Sequence, residues 1–418
     1  MEIKWSEHKL GDLIHIKHGF AFSGEYISDF DNGVVLVTPG NFKIGGGFKH
    51  SGKKYYSGTI PEDYILNGKS LIVTMTDLSK DADTLGYGAY VPEDGNTYLH
   101  NQRIGLVSII SDKINEEYLY WLLRTPWYQR RIANTSNGAS VKHTSPERIY
   151  KYKFTMPNLT TQKKIADILS AYDDLIENNL ARISLLEKMA SELYKEWFVR
   201  FRFPGHEAAK FVDGVPEGWE RKPIQAYYDT CSGGTPSRTK SEYFEEGIYP
   251  WVKTGEIKDS IIVDTEEYIT ADAVKHSSAK LLPSGSIIMA MYGVNIGQLG
   301  YLDKEMTCNQ ACCVFTDNRP LSSRHYLFQY LKSIREYLLL ISFGAAQQNL
   351  SQELIKKIKI VMPTEDIITA FEKHVDDIYA NIRLLMLENI NLTKQRDLLL
   401  PRLMSGKLSV EPLLGQTA

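Results

Sequence analysis

Residues 160–198 read TTQKKIADILSAYDDLIENNLARISLLEKMASELYKEWF. Steps of seven connect Ile165, Tyr172, Asn179, Leu186 and Leu193, and a second series connects Leu169, Ile176, Ile183, Ala190 and Trp197. Two interleaved heptad series of this length are the seam of a coiled coil; a helix lying on a globular core tolerates less regular spacing. The partner is in the same chain. Near the end, Ile368, Val375, Ile382, Asn389, Arg396 and Leu403 form one series, with Phe371, Ile378, Leu385, Leu392 and Leu399 as its companion. Each seam carries one asparagine, Asn179 and Asn389, and a buried polar residue at such a position fixes register at some cost in stability. In an antiparallel pair centred on itself these two lie within about one turn of each other, and we expect them to pair.

Outward from the helices, the sequence runs one programme twice. The first half contains ILNGKSLIVTMTD, the triplet His100–Asn101–Gln102, YLYWLLRTPWYQRRI, SNGAS and MPNLTTQ. The second contains LLPSGSIIMAMYG, Cys308–Asn309–Gln310, YLFQYLKSIREYLLL, SFGAA and MPTED. The spacing holds: Asn101 to Asn309 is 208 residues, and Gly138 to Gly344 and Met156 to Met362 are each 206. So long a period means two copies of one domain, each followed by a helix. Short apolar runs (34–37, 71–73, 104–110, 286–291) between glycine-rich turns predict strands, and 115–133 and 322–341 have helical spacing. The expected fold class is α+β, with two homologous domains separated by two long helices in an antiparallel coiled coil with a pseudo-twofold. The boundaries are 1–157, first domain; 158–203, central helix; 204–218, Pro/Gly-rich linker; 219–363, second domain; 364–409, C-terminal helix; 410–418, tail. PRLMSGKL (401–408) stops the second helix.

Composition narrows the class. The 418 residues carry a net charge of −3, with hydrophobic and charged fractions of a soluble globular protein. No apolar run is long enough to span a membrane, and MEIKWSEHKL is no signal peptide. The four cysteines make no disulfide framework, and CNQACC lacks the spacing of a zinc site, so they read as small buried residues of a reduced cytoplasm. Charge is unevenly placed. No acidic residue stands between Asp31 and Glu62, where Lys43, Lys49, His50, Lys53 and Lys54 fall among glycines and aromatics.

Within that stretch GFKHSGKK (47–54) has the spacing of a phosphate-gripping loop. Lys54, however, stands where a Mg²⁺-holding hydroxyl is needed, and no helical pattern follows, so an ATP site is excluded. Flexible backbone amides, cations and rings suit the phosphates of a nucleic acid instead. A solvated loop without a ligand stays open on this segment alone. Other enzymes fare no better: there is no NPPY- or DPPY-type motif, and GEIK (255–258) lacks the further carboxylates of a nuclease.

TTQKKIADILSAYDDLIENN, LLEKMASELYKEWFVRF, the ending NLTKQRDLLLPRLMSGKL and the Gly218–Trp219 opening of the second copy together resemble the specificity subunits of type I restriction–modification systems. The resemblance covers essentially the whole chain. It implies two target-recognition domains, each reading one half of a bipartite, asymmetric site in double-stranded DNA, with the coiled coil fixing their separation. It further implies a non-catalytic, cytoplasmic subunit without cofactor or metal, binding two methyltransferase subunits to which restriction subunits are added. S-adenosylmethionine, ATP and Mg²⁺ belong to those partners. The alternative is an assembly scaffold without intrinsic DNA specificity.

Candidate DNA contacts follow from residue type. Lys43, Lys49, Lys53 and Lys54 suit phosphates. Side chains with planar or polar ends suit base edges: Gln102, Arg103, Lys142 and His143 in the first copy, and Asn309, Gln310, Gln347, Gln348 and Asn349 in the second. Because the Asn–Gln pair recurs, it can equally hold a loop in both copies. Phe22 and Ser23, matched by Arg238 and Lys240, form a second candidate surface. The aromatic cluster at 118–128 sits among leucines and reads as core.

Overall fold

In a computed structural model of the chain, residues 5–79, 81–317, 323–342 and 349–410 are described. Gln347 and Gln348 lie outside them. The chain divides into two compact units, residues 1–176 with 391–418 and residues 177–390, so each contains one repeat and a part of both long helices.

In the first unit an antiparallel four-stranded sheet has the order Ile14–His18, Ile104–Ile109, Leu71–Thr74, Gly88–Tyr90. A second sheet, with one parallel pair, runs Ile27–Ser28, Lys54–Tyr56, Val34–Leu36, Thr97–Leu99, Ile65–Leu66. Ser6–Lys9 pairs with Lys153–Met156, which leads into the central helix Leu159–Tyr194. The second unit repeats the scheme. Tyr228–Ser232, Cys312–Asp317, Ile287–Ala290, Leu299–Leu302 and Ser260–Ile262 form one sheet, and Tyr268–Ile269, Tyr249–Val252 and Thr307–Cys308 another. Glu220–Pro223 pairs with Lys359–Met362 ahead of the C-terminal helix Glu365–Met404. The central strands Leu71–Thr74 and Ile287–Ala290 are buried at every position, as expected of apolar runs covered on both faces.

The helices do what the heptads predict within each unit. In the first, Ile165 and Leu169 pack with Leu400, Leu403 and Met404 beside Tyr118, Trp121 and Tyr128. In the second, Ile183, Ala190, Tyr194 and Trp197 pack with Phe371, Val375, Ile382 and Leu385. Asn179 stands opposite Asn389 and Tyr194 opposite Phe371, so the helices run antiparallel there. Complete burial of a side chain such as Leu169, 0% exposed, stabilises by about 1.5–3 kcal/mol.

Several details add to or depart from expectation. The segment 115–133 is two helices, Glu116–Leu122 and Pro126–Asn134, because Pro126 forces Thr125 into an extended conformation (φ −72°, ψ 141°). Its counterpart is likewise split, into Arg324–Ser333 and Arg335–Ser342. The central helix closes in a π-helical turn, Lys195–Val199, and the linker beyond it folds a small hairpin, Phe211–Val212 with Val215–Pro216. The C-terminal helix passes Pro401 and ends at Met404, with Gly406 left-handed (φ +72°).

Candidate nucleic-acid interface

In each unit a methionine at the end of a buried strand ties two distant segments together through its main chain. The Met75 N–H donates to Arg103 O (2.9 Å), and Thr144 N–H donates to Met75 O (2.9 Å). In the other copy Met291 N–H donates to Ala311 O (2.9 Å), and Leu350 N–H donates to Met291 O (2.8 Å). The Asn–Gln turn, the loop after the methionine and the segment 142–143 or its counterpart at 349 thus meet on one platform. Gln102 and Arg103 are exposed on its turn in the first copy. Lys142–His143 pairs antiparallel with Thr76–Asp77, and His143 Nδ1 lies 3.0 Å from Thr76 Oγ1. In the second copy Gln310 and Asn349 are exposed, and Asn349 bridges Tyr292.

The asparagines have a local task. Asn101 Oδ1 accepts from Arg103 N–H (3.2 Å), and Asn309 Oδ1 accepts from Ala311 N–H (3.1 Å). Each closes the turn that carries its glutamine. A glycine runs hard against that turn in both copies. A Cβ on Gly19 would stand 2.1 Å from Asn101 O, and one on Gly233 would stand 2.2 Å from Cys308 O. The segment after each glycine therefore lies against the platform. Phe20 N–H donates to His100 O (2.8 Å), and Gly234 N–H to Cys308 O (2.8 Å).

The remaining candidates scatter more widely. Ser23 is exposed, while Phe22 packs edge-on against Phe20 and Tyr56. The Arg238 guanidinium lies over Phe244 and Trp251 (4.4 and 5.0 Å) and pairs with Glu267 (2.6 Å); that hydrogen bond is the main cause of the lowered Glu267 pKa. Lys240 sits over Tyr243 and donates to its hydroxyl (3.0 Å). Lys49 is exposed. Lys54 pairs with Asp29 (2.6 Å), and Lys53, only 13% exposed, pairs with Asp94 (3.1 Å) and lies over Tyr98. Burial would lower the Lys53 pKa, but hydrogen bonds with Tyr98 and Asp94 raise it.

The glycine loop of 45–47 answers to a different neighbour. Arg124 Nε donates to Gly45 O (2.9 Å), and a Cβ on Gly46 would stand 2.4 Å from Arg124 Cγ. Gly47 N–H donates to Gly88 O (2.9 Å). The glycines let the backbone cross the buried Arg124, whose guanidinium also binds the Tyr120 hydroxyl and Asp173. Arg396 binds Asp173 from the C-terminal helix. Burial would raise the Asp173 pKa, but the two arginines hold it below the usual carboxylate range. At the seam, Asn179 Nδ2 donates to Asn389 Oδ1 and Glu388 Oε2, both at 3.0 Å.

Among the described residues one group has metal-ligand character: His325, Glu372 and Asp376. His325 Nδ1 lies 2.9 Å from Glu372 Oε2 inside the group, and the two carboxylates have further partners. Glu372 accepts from His325 N–H and Tyr326 N–H at the start of helix Arg324–Ser333, and Asp376 pairs with Arg324 (2.8 Å). Glu372 thus caps the helix.

Sequence reasoning found the polar ends of the platform but missed Met75 and Met291, which act through the main chain. The signal was available in the alignment of SLIVTMT with SIIMAMY.

Among the described residues no helix is long and apolar enough to cross a membrane. Residues 2–188 and 216–384 match the family described as Type I restriction modification DNA specificity domain. The chain is 28% identical to the type I restriction enzyme MjaIX specificity subunit of Methanocaldococcus jannaschii, over 78% of this chain and 76% of that one. It is 25% identical to the HindI specificity subunit of Haemophilus influenzae, over 97% and 99%. The fold is similar to the solved type I restriction–modification S subunit of M. genitalium, with a TM-score of 0.59 at 15% identity over 96% of both chains. The chain belongs to this family: it is a DNA specificity subunit of a type I restriction–modification system, non-catalytic and without a cofactor of its own.

Proposed function

We propose that residues 1–157 and 219–363 are two target-recognition domains, each reading one half of a bipartite, asymmetric site in double-stranded DNA. The observation that carries this is the platform. Both copies build it from the same main-chain hydrogen bonds, yet Arg103, Lys142 and His143 stand in one, and Ala311 and Asn349 at the corresponding places of the other. One scaffold with different polar ends reads different base edges. Lys43 and Lys49 contact phosphates; Lys53 and Lys54 do so by exchanging Asp94 and Asp29 for them. Helices 158–203 and 364–409 set the spacing of the half-sites. They dock two methyltransferase subunits through exposed apolar residues such as Leu175, Leu185, Met189 and Leu384, and restriction subunits join that cytoplasmic complex. S-adenosylmethionine, ATP and Mg²⁺ act in the partners.

The test is selection from a random duplex library with the methyltransferase subunit present, followed by sequencing. Two defined half-sites with a fixed gap are expected, and exchange of residues 1–157 for another such domain should change one half only. Retained DNA without shared sequence would refute the reading and leave an assembly scaffold.

A further inference from the structure

We propose that Leu78 and Val294 are base-contacting residues, aliphatic tips that each repeat presents to a groove of the duplex. The inference rests on the DNA-reading function proposed above. Leu78 is 61% exposed and Val294 fully exposed. Each stands three residues after its platform methionine, at the same position of the repeat. The loops that carry them share little else. One runs from Met75 to Gly86 and the other, shorter, from Met291 to Gly297, and their sequences differ. Both are closed alike, by Gly86 N–H to Thr74 O (3.0 Å) and Gly297 N–H to Ala290 O (2.8 Å).

Each tip is held out by its own bracing. Asp77 accepts from the N–H groups of Ser79 (2.7 Å) and Thr84 (2.5 Å) and from the Thr84 hydroxyl (2.7 Å). In the other copy Asn295 Nδ2 donates to Thr254 O (2.8 Å), and Gly293 takes a left-handed φ of +85°. A single exposed aliphatic side chain is ordinary. Two at one repeat position, on braced loops of different length, are not explained by packing, because neither is buried in its own unit.

The surroundings name the occupant. Residues 76–77, immediately before Leu78, pair with Lys142–His143, and Tyr292, two before Val294, bridges Asn349. The tips therefore rise beside the polar ends assigned to base edges, where an aliphatic group can meet a thymine methyl or press on a base step. A protein partner is the competing occupant.

The experiment uses the full chain assembled with its methyltransferase subunits and the duplex found by selection, with Kd read by fluorescence anisotropy. Leu78→Ser and Val294→Ser should each raise Kd about 5- to 30-fold on the selected duplex. Neither should change Kd further once the half that its own domain reads is scrambled. Leu78→Ile should restore wild-type binding. Kd within twofold of wild type for both serine variants, while Lys142→Ala with His143→Ala still weakens binding, overturns the tip contact and leaves the reading function standing. Serine variants that lose the methyltransferase subunit but keep DNA affinity place the tips on a protein and also overturn it. If Lys142→Ala with His143→Ala has no effect either, the reading function fails and the tip proposal with it.

Discussion

Asp173→Ala measures how far the charge cluster on the helical seam depends on its one shared carboxylate. Asp173 lies between Arg124, whose side chain is 4% exposed, and Arg396, 14% exposed. Removing it leaves Arg124 with Gly45 O and the Tyr120 hydroxyl, and Arg396 with the exposed Asp397. An exposed ion pair is worth about 0–1 kcal/mol, whereas deleting one partner of a buried pair costs about 3–5 kcal/mol. Asp173 is itself 23% exposed and Asp397 keeps part of the Arg396 interaction, so we place the loss near the lower figure, about 3 kcal/mol. For a unit of this size that lowers Tm by roughly 6–12 °C. The pH dependence has a definite sign. The folded carboxyl is held below the ordinary range, so its contribution is complete above the unfolded value of about 3.9 and disappears as pH falls through the folded one. The gap between wild type and variant should therefore close in acid. Replacing the cluster together, with Arg124→Met, Asp173→Leu and Arg396→Leu, should recover most of the stability. Calorimetry showing a loss below about 1 kcal/mol for Asp173→Ala would refute the view of this cluster as buried and mutually dependent.

Other changes have equally specific expectations. Burial lowers the His100 pKa from 6.5 to about 4 against the weaker raising effect of Ile104 O, so its stability contribution is full above pH 6.5 and lost towards pH 4. A denaturation series in which His100→Asn flattens the loss between those values, on the order of 3 kcal/mol, is the check. Asn179→Ala should cost about 1–2 kcal/mol by leaving Asn389 facing an apolar seam, while Asn179→Leu with Asn389→Leu should be near neutral in urea denaturation. Gly19→Ala would push a methyl into Asn101 O and should cost about 1–3 kcal/mol and weaken DNA binding through the displaced turn. Leu169→Ala, at a fully buried seam position, should cost about 2–5 kcal/mol by the same denaturation measurement.

The seam was legible because a heptad is a local pattern: Ile165, Leu169, Ile183, Ala190 and Trp197 are all buried where the spacing put them. The strands were legible for the same reason, and the aromatic cluster is core, with Trp121 and Tyr128 at 0% exposure. The break at Thr125 was readable from Pro126 but lost beneath the apolar spacing on either side. Gly45–Gly47 is instructive in a different way. Glycines among lysines point to a phosphate, and here they also make room for Arg124, a partner 79 residues away in sequence. Tertiary contacts of that kind leave no periodic trace. The platform was half legible: its polar ends have recognisable chemistry, but Met75 and Met291 join it through N–H and C=O groups that every residue possesses.

That division of labour bears on how such a protein changes specificity. The hydrogen bonds that build the platform, Met75 with Arg103 and Thr144 and Met291 with Ala311 and Leu350, involve no side chain. Arg103 and Ala311 accordingly occupy equivalent places without altering them. His143 and Asn349, which differ between the copies, stand exposed beside the turns. Substitution there costs little stability, since surface changes away from caps and buried polar groups usually fall within about 0.5 kcal/mol. The constraint falls instead on Asn101, Asn309, Gly19 and Gly233, which form or abut the turns. Residues that hold the turn are separate from residues that face outward, so the outward ones can diverge between the two halves of one chain while the scaffold beneath them stays the same.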